Sequence, residues 1–118
     1  MDTVKFAPMP RLTTHVLDTA SGKPATGLRV VLRRDGAVLA DTVTDADGRL
    51  ALLEGGTFTR GAYELTFHAG DYFREQGATL ADPAFLDVVP VRFALDGKSD
   101  AHVPLLIAPY GYSTYRGS

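Results

Sequence analysis

The chain has 118 residues, of which 45% are hydrophobic, 9% aromatic and 22% charged, and its formal net charge is -2. This is the balance of one soluble globular domain, and it excludes a second domain and a long acidic or basic tail. Cysteine is absent, which removes disulfides, thiolate metal sites and cysteine nucleophiles together.

The first residues, MDTVKFAPMPRL, carry acid and proline where a secretory signal needs an apolar run, which predicts a cytoplasmic protein. From Leu12 the pattern becomes that of short strands. Leu28, Val30 and Leu32 alternate with Arg29 and Arg33, the period of a half-buried strand. Tyr63, Leu65 and Phe67 oppose Glu64, Thr66 and His68 in the same way, and Val89, Val91, Phe93 and Leu95 oppose Arg92 and Asp96. Three Asp-Gly pairs, Asp35-Gly36, Asp47-Gly48 and Asp96-Gly97, separate apolar segments and signal hairpin turns. The reading gives eight strands, near 12–18, 28–35, 37–44, 49–53, 61–69, 87–95, 101–108 and 111–116. A single helix is expected from Asp71 to Gln76, with Asp71 as its N-cap and Gly77 as its stop. The fold class is therefore all-β, a sandwich with one short helix.

One strand breaks the half-buried rule. From Val103 onward, Val103, Leu105 and Ile107 point one way and Pro104, Leu106 and Ala108 the other, so both faces are apolar. An antiparallel sandwich strand normally shows one face to water, and an exposed apolar face marks an interaction site. The expectation is a sheet that packs on another subunit. The longest apolar run, Val103 to Pro109, falls far short of the roughly 20 residues of a membrane-spanning helix.

Histidine is the side chain suited to proton transfer near neutrality, and the chain has three: His15, His68 and His102. His68 shares the solvated face of Glu64 and Thr66. His15 shares a face with Thr13 and Leu17, without a charged neighbour on that face, and His102 opens the doubly apolar strand. Spacing leaves a structural and a catalytic role open for both. Arginine outnumbers lysine nine to three. Arg29, Arg33 and Arg92 belong to outward strand faces, whereas Arg49 follows a turn and Arg116 lies near the end, where a guanidinium can reach a planar anion.

Metal and nucleic-acid readings fail on chemistry. Val43 to Glu54 imitates a calcium loop at Asp45, Asp47, Gly48 and Glu54, but Val43 occupies the first ligand position and strands flank it. With no cysteine and three histidines, zinc lacks ligands. A basic patch with interleaved aromatics, a phosphate loop and a nucleophile elbow are all missing.

Two segments resemble the transthyretin-like 5-hydroxyisourate hydrolases. Leu12 to Pro24, LTTHVLDTASGKP, is similar to that family's first signature, and His102 to Ser118, HVPLLIAPYGYSTYRGS, to its second. Asp47-Gly48-Arg49 stands where the family places its arginine, and Met1 to Arg11, outside the resemblance, is expected to be a flexible arm. The resemblance implies a transthyretin-like sandwich of two four-stranded sheets with a short helix after the fifth strand. It also implies a homotetramer with sites at a dimer-dimer interface, no cofactor and no metal. The reaction it implies is hydrolysis of 5-hydroxyisourate to 2-oxo-4-hydroxy-4-carboxy-5-ureidoimidazoline in urate degradation. The implied catalytic set is His15, Arg49, His102 and Ser118, with Tyr115 as a substrate contact. His15 and His102 would activate water, Arg49 would bind the anionic substrate, and Ser118 with the terminal carboxylate would fix a histidine tautomer or the water. Asp100 stands where many relatives carry a further histidine. The alternative is a small-ligand carrier using the same channel, a role that would not require His15, Arg49 and His102 together.

Overall fold

In a computed structural model, residues 10–53 and 58–117 are described. Their strands form two sheets. In the first, β4 (Ala37–Val43), β3 (Arg29–Arg34), β6 (Gly61–His68) and β7 (Val88–Leu95) follow one another, all antiparallel. The second sheet is built around β1 (Leu12–Asp18), which pairs with β5 (Arg49–Leu53) and the two-residue β2 (Lys23–Pro24) in antiparallel fashion. On its other side β1 runs parallel to β8 (Ala101–His102) and β9 (Leu105–Ala108), and β10 (Gly111–Thr114) closes the edge against β9.

The core lies between the sheets. Alternation delivers Leu12 and Val16 of β1, Val30 and Leu32 of β3, Leu65 and Phe67 of β6, and Leu105 and Ile107 of β9 to it, all fully buried. Val31, on the opposite face of β3, is buried as well. Its ladder partners are Asp41 and Thr66, and Arg29 binds Asp41 through two hydrogen bonds while Arg33 binds Thr66 at 2.9 Å. Both arginine stems thus lie across Val31 and shield it.

Three expectations about local structure are corrected. The anticipated strand 101–108 is split, because Pro104 has no N–H to give the ladder. The register survives the break, since β1 meets His102 through Thr13 and Leu105 through Val16 in one parallel alignment. Counting β8 and β9 as that one strand, and setting aside the short β2, leaves four strands in this sheet.

Only one Asp-Gly pair makes a hairpin. Asp35 and Gly36 both take positive φ, 49° and 79°, and join β3 to its partner β4. The other two pairs carry the chain from one sheet to the other. There the aspartates serve wider turns: the N–H groups of Lys98 and Ser99 donate to Asp96 and hold its carboxyl down to about 2.

The helix α1 spans Ala69–Glu75, two residues earlier than the capping signal at Asp71. Its start is set by tertiary contact: Gly70 N–H donates to the Asp87 carbonyl at 2.9 Å, while Tyr72 and Phe73 enter the core. Asp71 instead pairs with Arg74 on the solvent side. Gly77, with φ 84°, ends the helix as anticipated. No described helix is long and apolar enough to cross a membrane.

Candidate active site

The outer face of the second sheet gathers most of the chemistry. Along β1, Leu12, Thr14, Val16 and Asp18 are buried, so Thr13, His15 and Leu17 project outward, half-buried. Ladder partners share a face, which makes the neighbours of these residues readable from register. His15 is opposite Arg49 on β5, and Thr13 lies between Ala51 on β5 and His102 on β8.

Arg49 owes its place to the preceding turn. Asp45 Oδ1 accepts the N–H groups of Asp47 and Arg49, both at 2.9 Å, and Gly48 takes φ 72°. A Cβ at Gly48 would lie 2.5 Å from the Val16 carbonyl, so only glycine lets this turn lie against β1. Of the aspartates that imitate a calcium loop, Asp45 thus organises a turn, and among the described residues no three His, Cys, Asp or Glu side chains are grouped to hold a metal ion.

His102 is held on both flanks. Its Nδ1 lies 2.8 Å from Thr13 Oγ1, and its carbonyl accepts the N–H of Gly117 at 2.8 Å. The His102–Gly117 bridge continues the antiparallel register of β9 and β10, in which Leu105 meets Thr114. Gly117 packs against the imidazole so closely that a Cβ there would collide with Cδ2 of His102. Burial, then the positive charges of Arg49 and His15, lower the His102 pKa below the ordinary imidazole value, against a hydrogen bond with the Thr13 backbone that raises it.

Arg49 and His102 line one open cleft of about 580 Å³, together with Arg11, Thr13, Asp45 and Asp100. His15 stands beside Arg49, just outside that lining. Asp100 accepts the backbone N–H of Arg11 at 2.8 Å, so its carboxylate secures the start of β1. Tyr115 belongs to a second cavity of about 170 Å³, whose wall includes His102, Arg92 and Arg116. Ser118 lies outside the described residues, as do residues 1–9 of the expected N-terminal arm. Sequence reasoning passed over Thr13 and Gly117. Thr13 could have been found as the outward residue two places before His15; for Gly117 the signal was the absence of a side chain beside a strand that must pass close to an imidazole.

The HIUase/Transthyretin family model matches residues 12–117. The chain belongs to this family. It is 60% identical over 115 residues to 5-hydroxyisourate hydrolase 2 of Rhizobium meliloti, covering 92% of this chain and 96% of the relative. Among solved structures, (S)-allantoin synthase superposes with TM-score 0.88 at 42% identity, covering 95% of this chain; the chain spans 45% of that protein's length. The 5-hydroxyisourate hydrolase of Klebsiella pneumoniae superposes with TM-score 0.82 at 40% identity, covering 93% of this chain and all of the other. Sea bream transthyretin in complex with thyroxine follows at TM-score 0.78 and 28% identity, covering 90% of this chain and 93% of that one. The likeness to these hydrolases thus exceeds the likeness to that transthyretin, in sequence and in backbone.

Proposed function

We propose that the chain hydrolyses 5-hydroxyisourate to 2-oxo-4-hydroxy-4-carboxy-5-ureidoimidazoline, a step of urate degradation. The observation that carries this reading is the placement of His15, Arg49 and His102 on one sheet face, His15 and Arg49 as direct ladder partners and His102 one strand away. In a chain 60% identical to a hydrolase, that trio supplies what opening a ring amide requires.

In this mechanism His102, neutral at neutral pH, takes a proton from water as its oxygen bonds to the ring carbonyl carbon. Negative charge gathers on the carbonyl oxygen, and the Arg49 guanidinium binds the planar anion and stabilises that charge. The C–N bond then breaks, and the leaving nitrogen takes a proton from the imidazole side of the site, where His15 stands beside Arg49. Tyr115 contacts the substrate and Ser118 orients the water. The site works in a homotetramer: the outward residues Leu17 and Leu106, ladder partners beside the histidines, pack on a second copy and close the cleft that one sheet face leaves open. The cytoplasm is the compartment assigned to the assembly.

The test generates 5-hydroxyisourate from urate with uricase and follows its absorbance decay. Acceleration proportional to protein concentration is expected, with loss of activity in His102→Ala and Arg49→Ala. Decay no faster than in buffer overturns the reading.

A further inference from the structure

The proposed base is held at one of its nitrogens and at one of its carbons. In an imidazole, Nδ1 and Cδ2 flank the attachment carbon, and Cε1 and Nε2 form the far tip. Thr13 Oγ1 holds the Nδ1 flank of His102 at 2.8 Å, and the backbone of Gly117 covers the Cδ2 flank without room for a methyl group. Neither support is loose. Thr13 is laddered between Ala51 and His102, and its carbonyl accepts the N–H of Val103 at 2.9 Å. Gly117 is tied to the His102 carbonyl. Only the tip of the ring remains to serve the cleft that His102 lines.

We infer that Thr13 is a positioning residue whose hydroxyl oxygen accepts the Nδ1 proton of His102, leaving the lone pair on Nε2, with Gly117 as the bare wall that keeps the ring in this plane. The inference rests on the proposed function for its catalytic meaning, while the tautomer can be observed without any turnover. The opposite arrangement, in which Thr13 donates to Nδ1, places the proton on Nε2 and turns the base into a donor. The role of a base decides between the two: with the Nδ1 flank held by Thr13, the lone pair that serves the cleft must lie on Nε2, so the proton sits on Nδ1 and the Thr13 hydroxyl oxygen accepts it. A fixed tautomer is what an orienting partner gives a catalytic histidine, and its loss is felt in turnover more than in binding. Of the two tasks that the resemblance left open for Ser118, fixing a histidine tautomer or the water, the first falls to Thr13.

The experiment is a long-range proton–nitrogen correlation spectrum of the full chain labelled with ¹⁵N-histidine, with the His102 signal assigned by its disappearance in His102→Gln. Wild type is expected to show the proton on Nδ1. Thr13→Val, which keeps the shape and removes the hydroxyl, should lose that preference and lower kcat roughly 10-fold or more with little change in KM. Thr13→Ser should restore both. A wild-type spectrum with the proton on Nε2 overturns the inference, and so does a Thr13→Val protein with unchanged spectrum and kcat. If Thr13→Val does not fold, the wild-type spectrum and the Thr13→Ser rescue still decide. An Nδ1–H spectrum from a protein that leaves 5-hydroxyisourate decay unchanged upholds the role of Thr13 in setting the tautomer and sinks the proposed reaction instead.

Discussion

Tyr72 of the helix donates its hydroxyl to Oδ2 of Asp18 at 2.8 Å, tying the only described helix to the end of the strand that carries His15. Both residues are almost fully buried, at 4% and 3% exposure. The other carboxylate oxygen of Asp18 accepts the N–H groups of Ala20 and Ser21, so the pair anchors the turn that leads into β2. Removing the hydroxyl strands a buried carboxylate oxygen, and Tyr72→Phe should cost about 1–3 kcal/mol at neutral pH. Burial, then the bond to Asp18, pushes the Tyr72 pKa up to about 12. This contribution is present in full below pH 10, where the unfolded tyrosine ionises, and is lost as pH rises through 12. Urea denaturation of wild type and Tyr72→Phe at pH 7 and across that alkaline window should show the gap between them closing; a constant gap would remove the assignment.

Activity should persist below pH 6.5. Burial and the charges of Arg49 and His15 hold His102 below the ordinary imidazole value of 6.5, so the acid limb of the kcat/KM profile should fall below that pH. Replacing a neighbouring cation lifts part of the depression. In His15→Gln the residual activity should therefore show an acid limb moved to higher pH, and a limb that stays in place, or moves down, counts against the coupling.

Gly48→Ala is expected to damage stability and activity together. The added Cβ meets the Val16 carbonyl and the positive φ is unfavourable for alanine, a cost of roughly 1–3 kcal/mol. Because the turn places Arg49, KM for 5-hydroxyisourate should rise as well. Gly36→Ala supplies the control: it also has positive φ but open space around it, so it should cost stability alone. Equal catalytic loss in both variants would show that Arg49 does not depend on this turn.

Leu106→Glu tests the assembly. Leu17 and Leu106 are side by side on the outward face, where a buried carboxylate between copies would be left without a partner. Sedimentation should find smaller species than wild type, with turnover reduced at the same chain concentration. A variant that keeps the wild-type sedimentation coefficient would place the interface elsewhere.

Much of this site could be read before any coordinates. The alternation of Leu12 to Asp18 put His15 on one face with Thr13 and Leu17, and the structure turns that face outward, with His15 opposite Arg49. The doubly apolar run after His102 was visible because Leu106 and Ala108 have no polar alternation. Long-range choices were not legible. Nothing local distinguishes Asp35-Gly36, which makes a hairpin, from Asp47-Gly48, which carries the chain to the other sheet; the difference lies in which strand waits beyond the turn. The helix start was misplaced because a good cap at Asp71 was outweighed by the contact of Gly70 with Asp87. Thr13 and Gly117 escaped notice for a related reason: their partner is 89 residues away for one and 15 for the other, and only register brings them to the same imidazole.

The hub position of β1 bears on how such a protein can change its trade. Enzymes that carry their chemistry on loops alter specificity by lengthening, shortening or exchanging those loops over a constant frame. Here His15 and Arg49 are rungs of one ladder, and Thr13, His102 and Gly117 are rungs of the next, so an insertion near any of them would shift the register and turn neighbouring side chains to the wrong face. New activities on this frame must arise by exchanging side chains at fixed positions, like pegs on a board, or by altering what lies against the board.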